Sequence, residues 1–200
     1  MKNGTEENMD SAGYGMPGGN EVSEVIRSRR TIHLFEEGVP PEGLIMRALE
    51  LACRAPNHRL TEPWRFYLAG RQTINAIAEL NAGIVAETKG AAAGSAKLER
   101  WRKIPGMMIV TSQRSDDPVR EREDFAACCC AIQNFMLYLW SEGIGVKWTT
   151  GQVVRDPRFY RLIEVSPEEE EVVGMLWYGY PKEIPETPRT PAERFVTRLP

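Results

Sequence analysis

Four short segments carry side chains able to do chemistry. Arg29-Arg30-Thr31 sets two guanidinium groups beside a hydroxyl. At a helix end such a set can grip a dianionic phosphate through charge-assisted hydrogen bonds. An arginine pair is equally at home on a solvated surface, so this segment decides nothing alone. Arg54-Ala55-Pro56-Asn57-His58 runs on to Glu62-Pro63-Trp64-Arg65-Phe66. The two prolines stiffen a loop that holds one of the chain's two histidines. His58 is either a polar loop residue or a donor to a ligand oxygen or ring carbonyl. In Gly143-Ile144-Gly145-Val146-Lys147-Trp148-Thr149-Thr150-Gly151, the glycines allow backbone to approach a flat ligand. Trp148 offers either a stacking surface or an ordinary core side chain, and Thr149 and Thr150 offer hydroxyls. Last, Gly179-Tyr180-Pro181 leads to Pro188-Arg189-Thr190-Pro191, which places a lone cation on a proline-rich stretch.

Regular elements must position these segments. A short helix over 21–29 delivers Arg29. Pro40-Pro41 open a second helix, since proline suits a first turn. Its apolar face is Leu44, Ile45, Ala48, Leu49 and Ala52, and it stops before Pro56. Arg65–Ala69 reads as a strand, and 71–81 as a helix. Residues 83–103 are rich in Ala, Gly and Lys with little core potential, which suits a mobile helix or lid. Met107–Ser112 reads as a buried strand. Val119–Glu142 is a long helix, apolar nearly all round from Phe125 to Trp140, and capped by Gly143. Phe125, Ile132, Phe135, Met136, Leu139 and Trp140 are spread round its circumference, so one side is expected to need a second subunit. Val146–Thr150 is a strand, Asp156-Pro157 starts a short helix, and Val172–Tyr180 is the last strand. Residues 181–200 hold five prolines and few large apolar groups, so they should lie as an arm across something. The mixed order of elements points to an α+β layer fold. Residues 1–20 read as a disordered tail, 21–182 as one domain and 183–200 as a C-terminal arm.

Several classes fall away on composition. The net charge of −3 provides no basic footprint for nucleic acid and no electrostatic hold on a membrane. The N-terminal residues lack an apolar secretory core, so a cytoplasmic protein is expected. Gly13-Tyr14-Gly15-Met16-Pro17-Gly18 spells G-x-G-x-x-G, but no strand precedes it and Pro17 interrupts it. Cys53 and the run Cys128–Cys130 lack zinc-ligand spacing and read as reduced, small core residues, so no metal is expected.

Taken in order, the four segments resemble the nitroreductase family of FMN-dependent oxidoreductases over about residues 20–195. The A-P-x-H loop before P-W-x-F is similar to its short, YdjA-like branch. The family usually has Gln where this chain has Glu62. The resemblance implies that Arg29, Arg30 and Thr31 meet the FMN phosphate, joined by Arg189. It implies that Arg54, His58, Trp148, Thr149 and Thr150 also touch FMN, with Arg54 or His58 beside the N1–C2 edge of the ring. It further implies a mostly antiparallel sheet flanked by helices, and a homodimer with FMN at the interface and an exchanged C-terminal arm. NADH or NADPH would supply two electrons for ping-pong transfer to a nitroaromatic, quinone or similar small acceptor, with the chemistry on FMN and no side-chain base. Flavin destruction, reductive dehalogenation, or flavin binding without turnover are the competing expectations. The purified protein is therefore expected to be yellow, with one FMN per chain. A colourless protein that cannot be reconstituted with FMN, judged by its absorption spectrum, would remove the reading.

Overall fold

The computed structural model describes residues 22–200. The tail expected over 1–20 and its glycine pattern lie outside the described residues. Six helices surround one four-stranded antiparallel sheet among the described residues. The strands are β1 (Trp64–Ala69), β2 (Gly106–Gln113), β3 (Gly145–Thr149) and β4 (Glu170–Gly179), in spatial order β1-β2-β4-β3. The helices are α1 (Val22–Ser28), α2 (Glu42–Ala52), α3 (Arg71–Lys89), α4 (Ala91–Arg102), α5 (Pro118–Ser141) and α6 (Pro157–Leu162). The expected α+β class and antiparallel sheet are both present.

The central strands β2 and β4 are apolar on both faces, so both faces must be covered. Side chains alternate along a strand. Met108, Val110, Leu176 and Tyr178 point to a cluster with α2 and α5. Met107, Ile109, Met175 and Trp177 point to a second cluster with α3, α4 and α6. Each large apolar side chain so buried contributes about 1.5–3 kcal/mol.

Helix α5 starts where Asp117 Oδ1 accepts from Val119 N at 2.9 Å, with Pro118 in the first turn. It ends at Gly143, whose φ of 77° lets Ile144 N reach back to Leu139 O at 2.8 Å. The chain itself buries Ile132, Phe135, Met136, Leu139 and Trp140 between α2, the sheet and α1. Of the six large side chains expected to encircle α5, Phe125 alone is open. The large uncovered patch expected on this helix is therefore absent. On α5 Val119 is exposed besides Phe125, and further exposed apolar groups include Val22 and Ile26 on α1, and Phe195, Val196 and Leu199 on the arm.

Two further expectations change. Helix α3 continues past 81 to Lys89 and is stopped by Gly90 at φ 86°. Residues 83–103 are not poor in core contacts, because Ile84 and Trp101 are buried. Their small residues serve close packing of α4 on α3: a Cβ on Gly94 would meet Ala82 O and Ala86 Cβ at 2.8 Å. The cysteine run is also not uniformly core. Cys128 is buried, while Cys130 and Cys53 are exposed. Successive residues on a helix turn by about 100°, so three neighbours cannot share one face.

Gly174 on β4 lies under the indole of Trp148 from β3, and a Cβ there would collide with Trp148 Nε1. Gly174→Ala is expected to destabilise by about 1–3 kcal/mol, as overpacking of a core does. The check is a lowered urea midpoint with an unchanged slope.

Candidate functional site

The Arg29 segment is placed by α1 and α5 together. Trp140 Nε1 donates to Ser28 Oγ at 3.0 Å, and Ser28 Oγ donates to Glu24 O at 2.6 Å. This fixes the end of α1 on the end of α5. The chain then runs beside β3: Thr31 bridges Val146 in parallel, and Ile32 N donates to Val146 O at 3.2 Å. A Cβ on Gly145 would strike Ile32, so glycine is what lets the two segments touch. The seam continues as Phe35 pairs with Pro181.

Arg29 is half-buried. Burial, then the neighbouring cations Arg189 and Arg30, pull its pKa below the ordinary value. The charge of Arg189, on the arm, thus bears on Arg29 of the same chain. Arg30 is placed differently from expectation. Its Nη1 donates to the carbonyls of Arg27, Ser28 and Arg29 at 2.8–3.0 Å. It caps the carbonyl end of α1, where a cation also suits the helix dipole. Thr31 is exposed at the seam.

Trp148 is pinned against Gly174 and packs on the cluster beneath α5, and its Nε1 is buried without a partner. Its indole is thus a packing element, and of the next two residues Thr149 is half-buried and Thr150 exposed.

Arg54 and His58 stand apart from this seam. Arg54 lies at the end of α2 over an apolar groove shared with Val22, Leu137 and Tyr138. His58 lies on a loop near the start of α5, beside Asp117, Arg120 and Asp124. Arg59, Leu60 and Glu62 on that loop have φ of 54°, 52° and 44°. Such angles are disfavoured for these side chains and need external support. The support is Thr61 Oγ1 donating to the buried Asp124 Oδ1 at 2.6 Å, and Glu62 N donating to Asn57 Oδ1 at 3.0 Å. Leu60, 80% exposed, is left at the tip. Asp124 and Trp140 anchor the His58 loop and the Arg29 segment respectively. At 1.5 Å rise per residue these anchors are about 24 Å apart along α5.

A second group of cations went unnoticed in the sequence. A cavity of about 450 Å³ opens between the 33–35 segment and α4, lined by His33, Phe35, Arg100, Lys103, Trp177 and Lys182 among others. Lys147 of β3 sits at its edge, with Nζ 4.4 Å from the Trp177 ring centroid. Burial, then Arg100 and Lys97, draw Lys147 down to a pKa of about 8. Burial, then Lys147 and Arg100, lower that of His33, which Glu183 partly opposes. Arg71 holds this end of α4 by donating to the carbonyls of Arg102, Ile104 and Pro105 at 2.9–3.2 Å. The one available signal was Lys147 itself, a charge placed between Val146 and Trp148 on a strand. The other members come from distant elements and share no motif.

Two sets of cations thus flank the Thr31–Val146 seam. Among the described residues, none of Arg29, Lys97, Arg100, Lys147 and Arg189 forms a carboxylate ion pair. Such an arrangement can bind a phosphate at one end and an electron-rich ring edge at the other. Among the described residues, no helix is long and apolar enough to cross a membrane.

Comparison with known proteins gives the chain a family. Residues 26–180 match the nitroreductase family. The chain is 32% identical over 183 residues to YfhC of Bacillus subtilis, covering 89% of this chain and 94% of YfhC. It is 25% identical over 165 residues to YdjA of Escherichia coli, covering 81% and 89%. These identities do not single out the YdjA-like branch expected from the A-P-x-H loop. Among solved structures, a nitroreductase-like family protein from Bacillus cereus superposes with a TM-score of 0.81 at 29% identity, over 92% of this chain and 99% of the other. A nitroreductase with bound FMN from Bacteroides fragilis shares the fold, with a TM-score of 0.73 at 22% identity over 91% and 100%. With the family matched over residues 26–180 and the fold reproduced over 92% of the chain, this chain belongs to the nitroreductase family.

Proposed function

We propose that the protein is an FMN-dependent NAD(P)H oxidoreductase that passes two electrons to a nitroaromatic, quinone or similar small acceptor. The observation that carries this reading is the pair of unpaired cation sets on either side of the Thr31–Val146 seam. Arg29 and Arg189 suit a terminal phosphate, with Thr31 as an added hydroxyl. His33, Arg100 and Lys147 suit the N1–C2 edge of the ring, a role first expected of Arg54 or His58. Thr149 and Thr150 flank the space between. When bound, FMN supplies the two-electron chemistry, and the protein supplies placement and electrostatics. Lys147 of the second set packs on the Trp177 face, and Arg71 tethers the end of α4 that carries Arg100. Lys147 and Arg100 need not reorganise when negative charge develops beside them, which is how a preorganised site favours a charged state.

The site is best completed by a second copy of the chain. The His58 loop and the Arg29 segment of one chain are anchored too far apart to face one small ligand closely. A twofold partner can bring its own His58 loop, with the exposed Leu60, to this seam. The arm also suits a partner surface, since Phe195 and Leu199 are 77% and 85% exposed. The arm over 183–200 thus acts as a clasp between subunits.

The deciding experiment is the absorption spectrum of the purified protein with and without NADPH under anaerobic conditions. Flavin bleaching by NADPH, followed by reoxidation with a quinone, supports the reading. Bound flavin that neither NADH nor NADPH bleaches would instead identify a flavin-binding protein without turnover. Arg29→Ala is expected to weaken FMN binding by roughly 10- to 150-fold, since a hydrogen bond to a charged group contributes about 1.5–3 kcal/mol. Fluorescence titration measures it, and unchanged affinity would make Arg29 a solvated surface group. Thr61→Val is expected to lower stability by about 1–3 kcal/mol, because it strips a hydroxyl donor from buried Asp124. It should also raise amide exchange over 57–62, with little change if the loop is held otherwise.

A further inference from the structure

Lys147 is a sheet lysine surrounded by cations. Facing it or its cavity are His33 from the segment after α1, and Lys97, Arg100 and Lys103 with the single acid Glu99 from α4. Lys182 and Glu183 approach from the start of the arm. Among the described residues, Lys147 has no hydrogen-bond or ion-pair partner. What holds its Nζ is the face of Trp177, itself locked edge-on against Trp101 at 4.8 Å between centroids. A lysine placed this way gives up no hydrogen bond or ion pair with its proton, only the attraction of its charge to the Trp177 face, and regains both when negative charge arrives nearby.

We propose that at alkaline pH Lys147 is the proton store of the reaction: there it takes up a proton when the cofactor is reduced and gives it up when the acceptor is reduced. This rests on the flavin reading above. The balance is as follows. NAD(P)H delivers a hydride, two electrons and one proton, and leaves as NAD(P)+. That hydride would add one negative charge to the site, and Lys147, where it is neutral, would bind a proton from water to become ammonium. A quinone acceptor needs two electrons and two protons to become a hydroquinone. The hydride supplies both electrons and one proton, and Lys147 returns the other, relayed by water. The free lysine range lies near 10.5, and burial with Arg100 and Lys97 brings Lys147 down to about 8. It is therefore partly neutral at mildly alkaline pH, and a new adjacent negative charge is expected to raise its proton affinity tenfold or more.

The test is the midpoint potential of the FMN-loaded protein, followed by spectroelectrochemistry from about pH 7 to about pH 10. One proton per two electrons corresponds to a slope of about 30 mV per pH unit, and two protons to about 59 mV. The wild type should steepen from the first slope to the second near pH 8. Lys147→Met should keep the shallow slope throughout, and so should Lys147→Arg, whose charge never leaves. A wild-type curve with the shallow slope alone, or a break that persists in both variants, overturns the proposal while leaving the flavin reading intact. A protein that cannot be loaded with FMN overturns both. The wild-type curve decides the matter even if a variant does not fold.

Discussion

The structure depends on a sheet whose central strands are apolar on both faces. Because β4 pairs with β2 on one side and β3 on the other, it cannot be left open on either face. The chain answers with α2 and α5 on one side and the α3–α4 hairpin with α6 on the other. This two-sided cover leaves β3 as an edge strand, and a ladder edge is a place where another segment can join. The segment after α1 joins there, which brings Thr31 beside Val146. The candidate site is thus a by-product of how the sheet ends.

That placement explains the electrostatics. A strand alternates its side chains, so Trp148 goes to the α5 side and Lys147 to the α4 side. The lysine is committed to a half-buried position by the core requirement of its neighbours. Helix α4 then adds cations, where a structure built for stability alone would add acids. Uncompensated charge near a protein interior is unfavourable unless a ligand balances it. Uncompensated charge of this kind is what an anionic ligand would balance.

The sequence was legible where periodicity was clean. The face of α2, the strand β2, the length of α5 and its Gly143 cap could all be read directly, because each rests on local pattern or a backbone requirement. The α3–α4 hairpin was not, since Ala and Gly look like weak core residues until two helices approach closely enough to need them, as at Gly94. The cover over α5 was misjudged for a related reason: a helical wheel shows which faces are apolar but not which neighbours reach them. At the site, Arg29 and Arg189 were named through the family resemblance, and the charge of Arg189 does bear on Arg29. His33, Arg100 and Lys147 could not, because three separate elements converge there. The capping role of Arg30 was equally hidden, since it depends on where a side chain turns rather than on where it stands.

The loop after α2 has a consequence for how this protein can diversify. Its backbone is held from outside, by Asn57 at one end and by Thr61 on Asp124 at the other. Arg59 and Leu60 at the tip contribute little to holding that shape; their left-handed backbone angles even count against them. Frame and tip are therefore separable. Side chains at 59 and 60 can be exchanged while the peptide path stays put, and glycine or asparagine there would ease the backbone. A lineage can thus vary the surface presented at these two positions without renegotiating the fold that carries them.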